Sequence, residues 1–239
     1  MTMTIKDLSK ILFLDIETVS QKSNYEELSE RMQTLWDKKA NSIRKTGEDE
    51  LSSADLYERA AIYSEFGKIV CISVGFIKDD KLRIKSYYSH NEVDLLNGFA
   101  DLLNKHYSGF GCNLCAHNGK EFDFPYIARR MMINGIEIPK ILDVSGRKPW
   151  ETSFLDTMEM WKYGDYKNYT SLELLCAVLD IPTPKDDING SQVGEVYWKE
   201  NDLERIKTYC QKDVISIVQI MRRFNYQPLI ADENIEYIS

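Results

Sequence analysis

The sequence lacks any long apolar run. No stretch reaches the roughly 18 consecutive apolar residues that a membrane-spanning helix needs, so we expect a chain that neither crosses nor inserts into a bilayer. The first ten residues are polar and include two lysines, which predicts no targeting segment. Internal repeats and low-complexity segments are also absent, which excludes repeat architectures.

Cysteine and basic charge are both scarce. The five cysteines are odd in number and mostly lie inside apolar runs, as reduced thiols do, which predicts a cytoplasmic protein. Cys112 and Cys115 form a CxxC pair, but on an extended strand this spacing sends the side chains to opposite faces and away from a shared zinc ion. The net charge of −8 argues against a broad basic surface, so any contact with nucleic acid must be local.

The order of apolar segments predicts an α/β fold in one domain over residues 1–239. Residues 11–14 are continuously apolar, which favours a central strand buried on both faces. Residues 68–77 and 81–88 predict a β-hairpin, and short strands follow at 113–116 and 154–155.

Helical periodicity predicts the remaining elements. Residues 25–64 form a helical insertion after the first strand, with Gly47 and the acidic residues 48–50 at the joint between two helices. Another helix ends near residue 134, and residues 161–169 are expected to be loop. Capping boxes predict three further helix starts: Ser89 with Glu92, Thr170 with Glu173, and Asn201 with Glu204.

Two carboxylates stand at the end of the first strand. Asp15 and Glu17 are spaced i and i+2, so on a strand they share one face. Acidic pairs of this spacing are common, and an ordinary polar strand end would also account for them. The apolar run before them favours function, because two anions at the tip of a buried strand must be paired or bound to metal.

A third carboxylate follows a glycine turn. Asn118 offers an amide that can hydrogen-bond a sugar or phosphate, Gly119 lets the backbone approach closely, and Asp123 ends the motif. An ordinary helix N-terminus, where Asp123 meets the helix dipole, is the alternative. His117 precedes the motif, but a single histidine is more often structural and receives no chemical role.

The fourth carboxylate lies on the last long helix. Tyr209 and Asp213 are one turn apart and share a face. The tyrosine hydroxyl can orient an attacking water, or the ring simply packs. Together the four carboxylates predict a site for two divalent cations, because crowded carboxylates without cations repel one another.

Basic and aromatic residues near these motifs can contact a nucleic acid. Lys120 can hold a phosphate, although exposed helix cations are common. Residues 161–169 alternate aromatic side chains with cations, including Lys162, which suits a single strand but equally suits a loop pinned by its aromatic residues. Around the second motif the basic residues outnumber the acidic ones: Lys120, Arg129, Arg130, Lys140, Arg147 and Lys148.

The order and chemistry of these residues resemble the three exonuclease motifs of the DEDD superfamily, in its tyrosine-bearing branch. The histidine branch would have histidine at position 208, where this chain has Thr208. Over about 10–224 the chain is similar to bacterial PolB-like 3′-5′ exonucleases and to the proofreading domain of family B DNA polymerases. The three motifs are Asp15 with Glu17, the 118–123 turn, and Tyr209 with Asp213.

The resemblance implies a ribonuclease-H-like fold, with a mixed five-stranded sheet flanked by helices, and a set of residue roles. Asp15 would bridge two Mg²⁺ or Mn²⁺ ions. Glu17 and Asp213 would hold the ion that carries the attacking water, and Tyr209 would position that water. Asp123 would serve the second ion. The residues that would line the terminal nucleotide are Thr18, Asn118 and Phe122.

The implied function is a metal-dependent 3′-5′ exonuclease that shortens DNA at single-stranded or frayed 3′ ends and releases nucleoside monophosphates. Nucleic acid is therefore the expected partner. An exoribonuclease is the first alternative, because no motif reveals a contact with a 2′-hydroxyl. The second is a nucleic-acid-binding module whose catalysis has lapsed, against which the intact carboxylate set counts.

Overall fold

A mixed sheet forms the centre of the fold. The computed structural model describes residues 7–48, 50–148, 151–165, 167–182 and 188–238. Within them the strands are β1 Ile11–Ser20, β2 Gly67–Lys78, β3 Lys81–Tyr88, β4 Asn113–Ala116, β5 Phe154–Asp156 and β6 Ile235–Ile238. Their order across the six-stranded sheet is β5-β4-β1-β2-β3-β6.

The strand directions complete this topology. Strand β2 is antiparallel to both β1 and β3, whereas β4 is parallel to β1, β5 to β4, and β6 to β3. The predicted α/β, ribonuclease-H-like fold class is confirmed. The predicted count of five strands omits β6, which adds a short parallel edge beside β3.

Helices cover both faces of the sheet. They are α1 Glu30–Ile43, α2 Glu92–His106, α3 Asp123–Ile133, α4 Thr157–Lys162, α5 Leu172–Val178, α6 Val193–Glu195 and α7 Leu203–Phe224. A π-helical segment, Val196–Glu200, continues α6. In the described ranges no helix is both long enough and apolar enough to span a membrane.

Strand β1 is buried on both faces, as predicted. Leu12 and Leu14 pack into an apolar cluster with residues of α2 and α3, whereas Ile11 and Phe13 pack into a second cluster with α7. Because side chains alternate along a strand, the same pattern places Asp15 on the α7 face. The core on each side of β1 therefore decides which helix this carboxylate meets.

The predicted hairpin and the two short strands are confirmed. Strands β2 and β3 are joined at Asp79 and Asp80, whose φ angles of 53° and 59° suit a two-residue hairpin loop. Strand β4 has the predicted bounds, and β5 extends one residue further, to Asp156. Asp156, the extra residue, accepts hydrogen bonds from the backbone of the turn that precedes Asp123.

The helical insertion has a small core of its own. Ser29 is the N-cap residue of helix α1, and its side chain accepts a hydrogen bond from the Met32 N–H. The second predicted helix is wrong in type, since Tyr57–Ile62 is a 3₁₀ helix. Trp36 is fully buried between these segments, and its indole N–H donates to the Ser53 carbonyl at 2.7 Å. Part of the predicted joint, residue 49, lies outside the described residues.

A buried ion pair connects the insertion with the rest of the fold. The Arg130 guanidinium on α3 forms two hydrogen bonds with the Glu92 carboxylate, at 2.9 and 2.6 Å, and a third with the Ser64 carbonyl at the end of the insertion, at 2.8 Å. Glu92 also accepts the N–H of Ile69 on β2. Four parts of the chain thus meet at one desolvated contact.

The three predicted capping boxes are wrong by one or two residues. Helix α2 is capped by Asn91, because Glu92 is engaged with Arg130 and is not free to close a box on Ser89. The cap of α5 is Ser171 in place of Thr170, and that of α7 is Asp202. The segment 161–169 is loop only after Lys162, because α4 covers its first two residues; residue 166 lies outside the described ranges.

Candidate active site

Asp15 and Glu17 form the centre of an acidic cluster. Carboxylate oxygens of both residues lie within 4.8 Å of each other and of the Cys210 sulfur. One oxygen of Asp15, Oδ2, is buried and has no hydrogen-bond partner among the described residues. The Cys210 thiol donates to the Asp15 backbone carbonyl at 3.4 Å, and its hydrogen bond to the Asp15 carboxyl group lowers the pKa of that group against the larger effect of burial.

The electrostatics of this cluster oppose ionisation. Burial raises the pKa of Asp15 well above its ordinary value, and the charges of Asp213 and Asp123 raise it further. Burial likewise raises the pKa of Glu17, with the charges of Asp15 and Asp213 next in size. Several buried carboxylates are costly to ionise when no cation is near. A bound divalent cation would offset both the repulsion between their negative charges and part of the cost of burying them.

Asp123 reaches the cluster from the first turn of α3. It is 4% exposed, and its carboxylate accepts a hydrogen bond from the Ile16 backbone N–H on β1. Burial, opposed by backbone hydrogen bonds and reinforced by the charges of Asp156 and Asp213, raises the pKa of Asp123 to about 7. Helix α3 therefore adds a third carboxylate beside the two on β1.

The turn that precedes Asp123 requires glycine. A Cβ atom on Gly119 would lie 2.4 Å from the Ala116 Cβ and 3.2 Å from the Phe124 ring. Asn118, with a φ of 62°, adopts the left-handed conformation that asparagine tolerates better than most residues. The residue types of this motif thus follow from a chain that folds back closely on β4.

Asp156, which the sequence analysis overlooked, holds this turn in place. Its carboxylate is 4% exposed and accepts four backbone N–H groups, those of Asn118, Lys120, Met158 and Glu159, at 2.9 to 3.2 Å. A signal was present, because Asp156 follows an apolar pair at a strand end, as Asp15 does. With its lone pairs used by the backbone, Asp156 acts as a positioning residue.

Tyr209 and Asp213 face the cluster from α7. The Tyr209 hydroxyl donates a hydrogen bond to the Asp213 carboxylate. Burial raises the pKa of Tyr209 far above its usual value, followed by the charges of Asp213, Glu17 and Asp15, so the phenol stays protonated. An apolar stripe anchors this helix, since its members are fully buried: Ile206, Cys210, Val214, Ile217 and Met221.

Thr18 and Phe122 meet around one tyrosine. The Thr18 side chain hydrogen-bonds the Tyr126 hydroxyl, and the Phe122 ring lies 5.3 Å from the Tyr126 ring. Thr18 also lines a groove of about 1000 Å³, most of whose other lining residues belong to the insertion and to residues 190–199. The insertion therefore forms one wall of a groove that reaches Thr18, the residue after Glu17.

The predicted phosphate-binding lysines are already engaged. Lys120 forms an ion pair with Glu159, and the Lys162 ammonium lies 4.1 Å from the centre of the Tyr169 ring. Arg130, counted among the basic residues near the second motif, is buried against Glu92. The charges of Lys120 and Arg130 are thus neutralised by neighbouring carboxylates.

His117 and the cysteines have structural roles. Both ring nitrogens of His117 are used, one with the Thr157 hydroxyl and one with the Thr170 carbonyl, each at 2.9 Å. Burial lowers the pKa of His117, so the ring is neutral. All five cysteines are free, and Cys112 and Cys115 pack in different apolar clusters, as their spacing predicted.

A comparison with protein families finds one family whose model matches most of the chain. Residues 61–229, more than half of the chain, match the model of a family described as "Predicted 3'-5' exonuclease related to the exonuclease domain of PolB". The matched range contains Asp123, Tyr209 and Asp213 and begins after Asp15 and Glu17.

A solved structure of a longer protein also resembles this chain. It is the family B DNA polymerase from the hyperthermophilic archaeon Pyrobaculum calidifontis, with 14% sequence identity and a TM-score of 0.47. The similarity covers 87% of this chain and 24% of the polymerase. No curated protein matches the sequence significantly. By its match over residues 61–229, the chain belongs to the family of predicted 3′-5′ exonucleases related to the exonuclease domain of PolB.

Proposed function

We propose that the chain, as a single domain over 1–239, is a metal-dependent 3′-5′ exonuclease that hydrolyses the terminal phosphodiester bond of DNA. Its substrates are single-stranded or frayed 3′ ends, and its products are nucleoside monophosphates. One observation carries the proposal. Carboxylates from β1, α3 and α7 converge at a point where an oxygen of Asp15 is buried without a hydrogen-bond partner.

The donor set fits hard divalent cations such as Mg²⁺ or Mn²⁺. Carboxylate oxygens are the ligands that these ions prefer. Asp15 would hold both ions, Glu17 and Asp213 one of them, and Asp123 the other. When bound, the two cations would supply charge neutralisation at the phosphate and an activated water. The Cys210 thiol is not assigned as a ligand, because it donates to a backbone carbonyl and burial raises its pKa well above the usual value.

Tyr209 would orient the attacking water. Its protonated hydroxyl donates to Asp213, which leaves the phenol oxygen free to accept a hydrogen bond from the water. Thr18, Asn118 and Phe122 would line the terminal nucleotide beside the groove. Lys120 and Lys162 would contact phosphate only by exchanging their present contacts with Glu159 and Tyr169.

The decisive experiment uses 5′-labelled DNA and RNA oligonucleotides of equal sequence with Mg²⁺ or Mn²⁺. We expect a ladder that shortens by one nucleotide at a time, with DNA cleaved faster, and no cleavage in EDTA. Asp15→Asn should abolish turnover. The matched control is Asp101→Asn, an exposed aspartate paired with Lys105 far along α2. Internal fragments, or an active Asp15→Asn variant, would refute the proposal, and faster cleavage of RNA would establish the exoribonuclease.

A further inference from the structure

A second cavity, away from the carboxylates, has an unusual charge for this chain. It measures about 480 Å³ and is formed by residues 107–113, 140–141, 147 and 153. Lys140 and Arg147 line it, and no aspartate or glutamate is among its described lining residues. The chain has a net charge of −8, whereas the charged side chains that line this cavity are both positive. The electrostatic potential at the cavity is therefore opposite in sign to that expected from the net charge.

The cations at this cavity are available to a ligand. Lys140 and Arg147 are exposed, and neither forms an ion pair within the described part of the chain. Lys10 adds a third cation at the rim, since its ammonium lies 3.9 Å from where a Gly111 Cβ would stand. These cations differ from Lys120 and Arg130, whose charges are neutralised by Glu159 and Glu92.

An aromatic ring stands beside the cations. Phe110 has a relative exposure of 105%, the highest among the large apolar side chains of the described residues. It is flanked by Gly109 and Gly111, and Gly111 has a φ of 85°, so the loop holds the ring away from the core. A solvated ring beside unpaired cations suits a ligand that has both an aromatic face and negative charge, which describes a nucleotide.

The cavity and the turn that precedes Asp123 lie at opposite ends of the same two strands. Two residues at the start of these strands line the cavity: Asn113, the first residue of β4, and Ser153, the residue before β5. At the other end, beside the active site, Asp156 is the last residue of β5 and Asn118 follows β4. The three residue steps from Ser153 to Asp156 correspond to about 10 Å on an extended strand. A single nucleic-acid strand can therefore reach both places.

We propose that this cavity is a second binding site for single-stranded nucleic acid, which holds the strand upstream of the 3′ end. Lys140 and Arg147 contact backbone phosphates, and a base stacks on Phe110. The inference rests on the proposed function for the identity of the ligand. It explains how an acidic chain with paired active-site lysines can retain an anionic substrate.

The test measures binding without turnover. Fluorescence anisotropy of a labelled twelve-nucleotide single strand is followed in EDTA over a range of NaCl concentrations. Lys140→Gln and Arg147→Gln should each reduce the slope of log K against log salt by about 0.7, the value for one phosphate contact on a single strand. Lys105→Gln, which removes an equal charge from a pair with Asp101 on α2, is the matched control and should leave the slope unchanged.

The stacking contact is tested separately. Phe110→Ala should weaken binding of the twelve-nucleotide strand roughly 5- to 150-fold, the range for loss of one base–aromatic stack. The ring is exposed, so the variant should unfold at the same urea concentration as the parent protein. In cleavage assays with Mn²⁺, Phe110→Ala and Lys140→Gln should raise KM for the long strand, leave kcat unchanged, and leave cleavage of a trinucleotide unaffected.

Two results would overturn the inference. One is binding by Lys140→Gln and Arg147→Gln that matches Lys105→Gln at every salt concentration. The other is competition by inorganic polyphosphate together with unchanged binding by Phe110→Ala, which would indicate a general polyanion site. Either result leaves the cleavage ladder intact. If instead the strand binds as expected but is never cleaved, the second site stands and the proposed exonuclease function falls.

Discussion

Asp123 is expected to destabilise the metal-free protein at neutral pH. Its pKa is raised from 3.8 to about 7 in the folded chain, chiefly because the carboxyl group is buried. Between these pH values the folded protein binds a proton that the unfolded chain has released. The free energy of unfolding therefore falls as the pH rises from about 4 to about 7, and it stays lower above that range.

The size of the effect follows from the shift. Each unit of pKa difference corresponds to about 1.4 kcal/mol, so ionising Asp123 costs the folded state up to about 4 kcal/mol. Asp123→Asn keeps the shape of the protonated acid but cannot ionise. We expect the variant to match the parent protein below pH 4 and to exceed its free energy of unfolding by up to about 4 kcal/mol at pH 8.

The assay is urea unfolding in EDTA at pH 4 and pH 8, followed by circular dichroism. Asp101→Asn is the control, because that aspartate is exposed. Added Mg²⁺ or Mn²⁺ should stabilise the parent protein at pH 8 and stabilise Asp123→Asn less, since a bound cation needs the carboxylate. A variant that is less stable than the parent at pH 8, or that differs from it equally at both pH values, would refute the reasoning.

Three further predictions concern the surrounding residues. Tyr209→Phe should lower kcat roughly 10²- to 10⁴-fold with KM unchanged because the orienting hydroxyl is lost, and the urea midpoint should fall only slightly because its hydrogen bond to Asp213 is lost as well; wild-type kcat would remove Tyr209 from the reaction. Asp156→Ala leaves four buried or partly buried N–H groups without their acceptor, so the urea midpoint should fall and metal binding measured by calorimetry should weaken; unchanged values would show that the turn keeps its conformation without Asp156. Gly119→Ala should cost about 1 to 3 kcal/mol of unfolding free energy, since the new Cβ overlaps Ala116, and an equally stable variant would mean that the turn can shift.

The features that could be predicted are those that local patterns specify. An unbroken apolar run defined β1, and alternating residues around a two-residue loop defined the β2–β3 hairpin. Asp15 stood out because a carboxylate at the tip of a buried strand must be paired or bound to metal, although an ordinary polar strand end was the alternative. In each case the decisive information lies within about ten residues of sequence.

The features that were missed depend on contacts between distant parts of the chain. The predicted capping box of Ser89 and Glu92 does not form, because the Glu92 carboxylate binds Arg130 on another helix. Lys120 is occupied by Glu159, which the sequence places far away. Strand β6 pairs in parallel with β3. Because a long segment of the chain separates the two strands, no short turn motif in the sequence predicts their pairing. Asp156 follows an apolar pair at a strand end, but its hydrogen bonds with the N–H groups of Asn118 and Lys120 exist only once β4 and β5 are side by side.

The buried contact between Arg130, Glu92 and the Ser64 carbonyl has a consequence for how substrate enters. It joins the insertion, which forms one wall of the groove at Thr18, to α3, which carries Asp123. Lifting this wall would break the hydrogen bond from the Arg130 guanidinium to the Ser64 carbonyl, whereas the ion pair between Arg130 on α3 and Glu92 on α2 could stay closed. A hydrogen bond to a charged group contributes about 1.5 to 3 kcal/mol, so by this contact alone fewer than about one molecule in ten would have the wall lifted at any moment. Under the proposed function, a nucleic-acid end would therefore mostly thread lengthwise into a groove that is already formed, which would favour slender, unpaired termini over duplex ends.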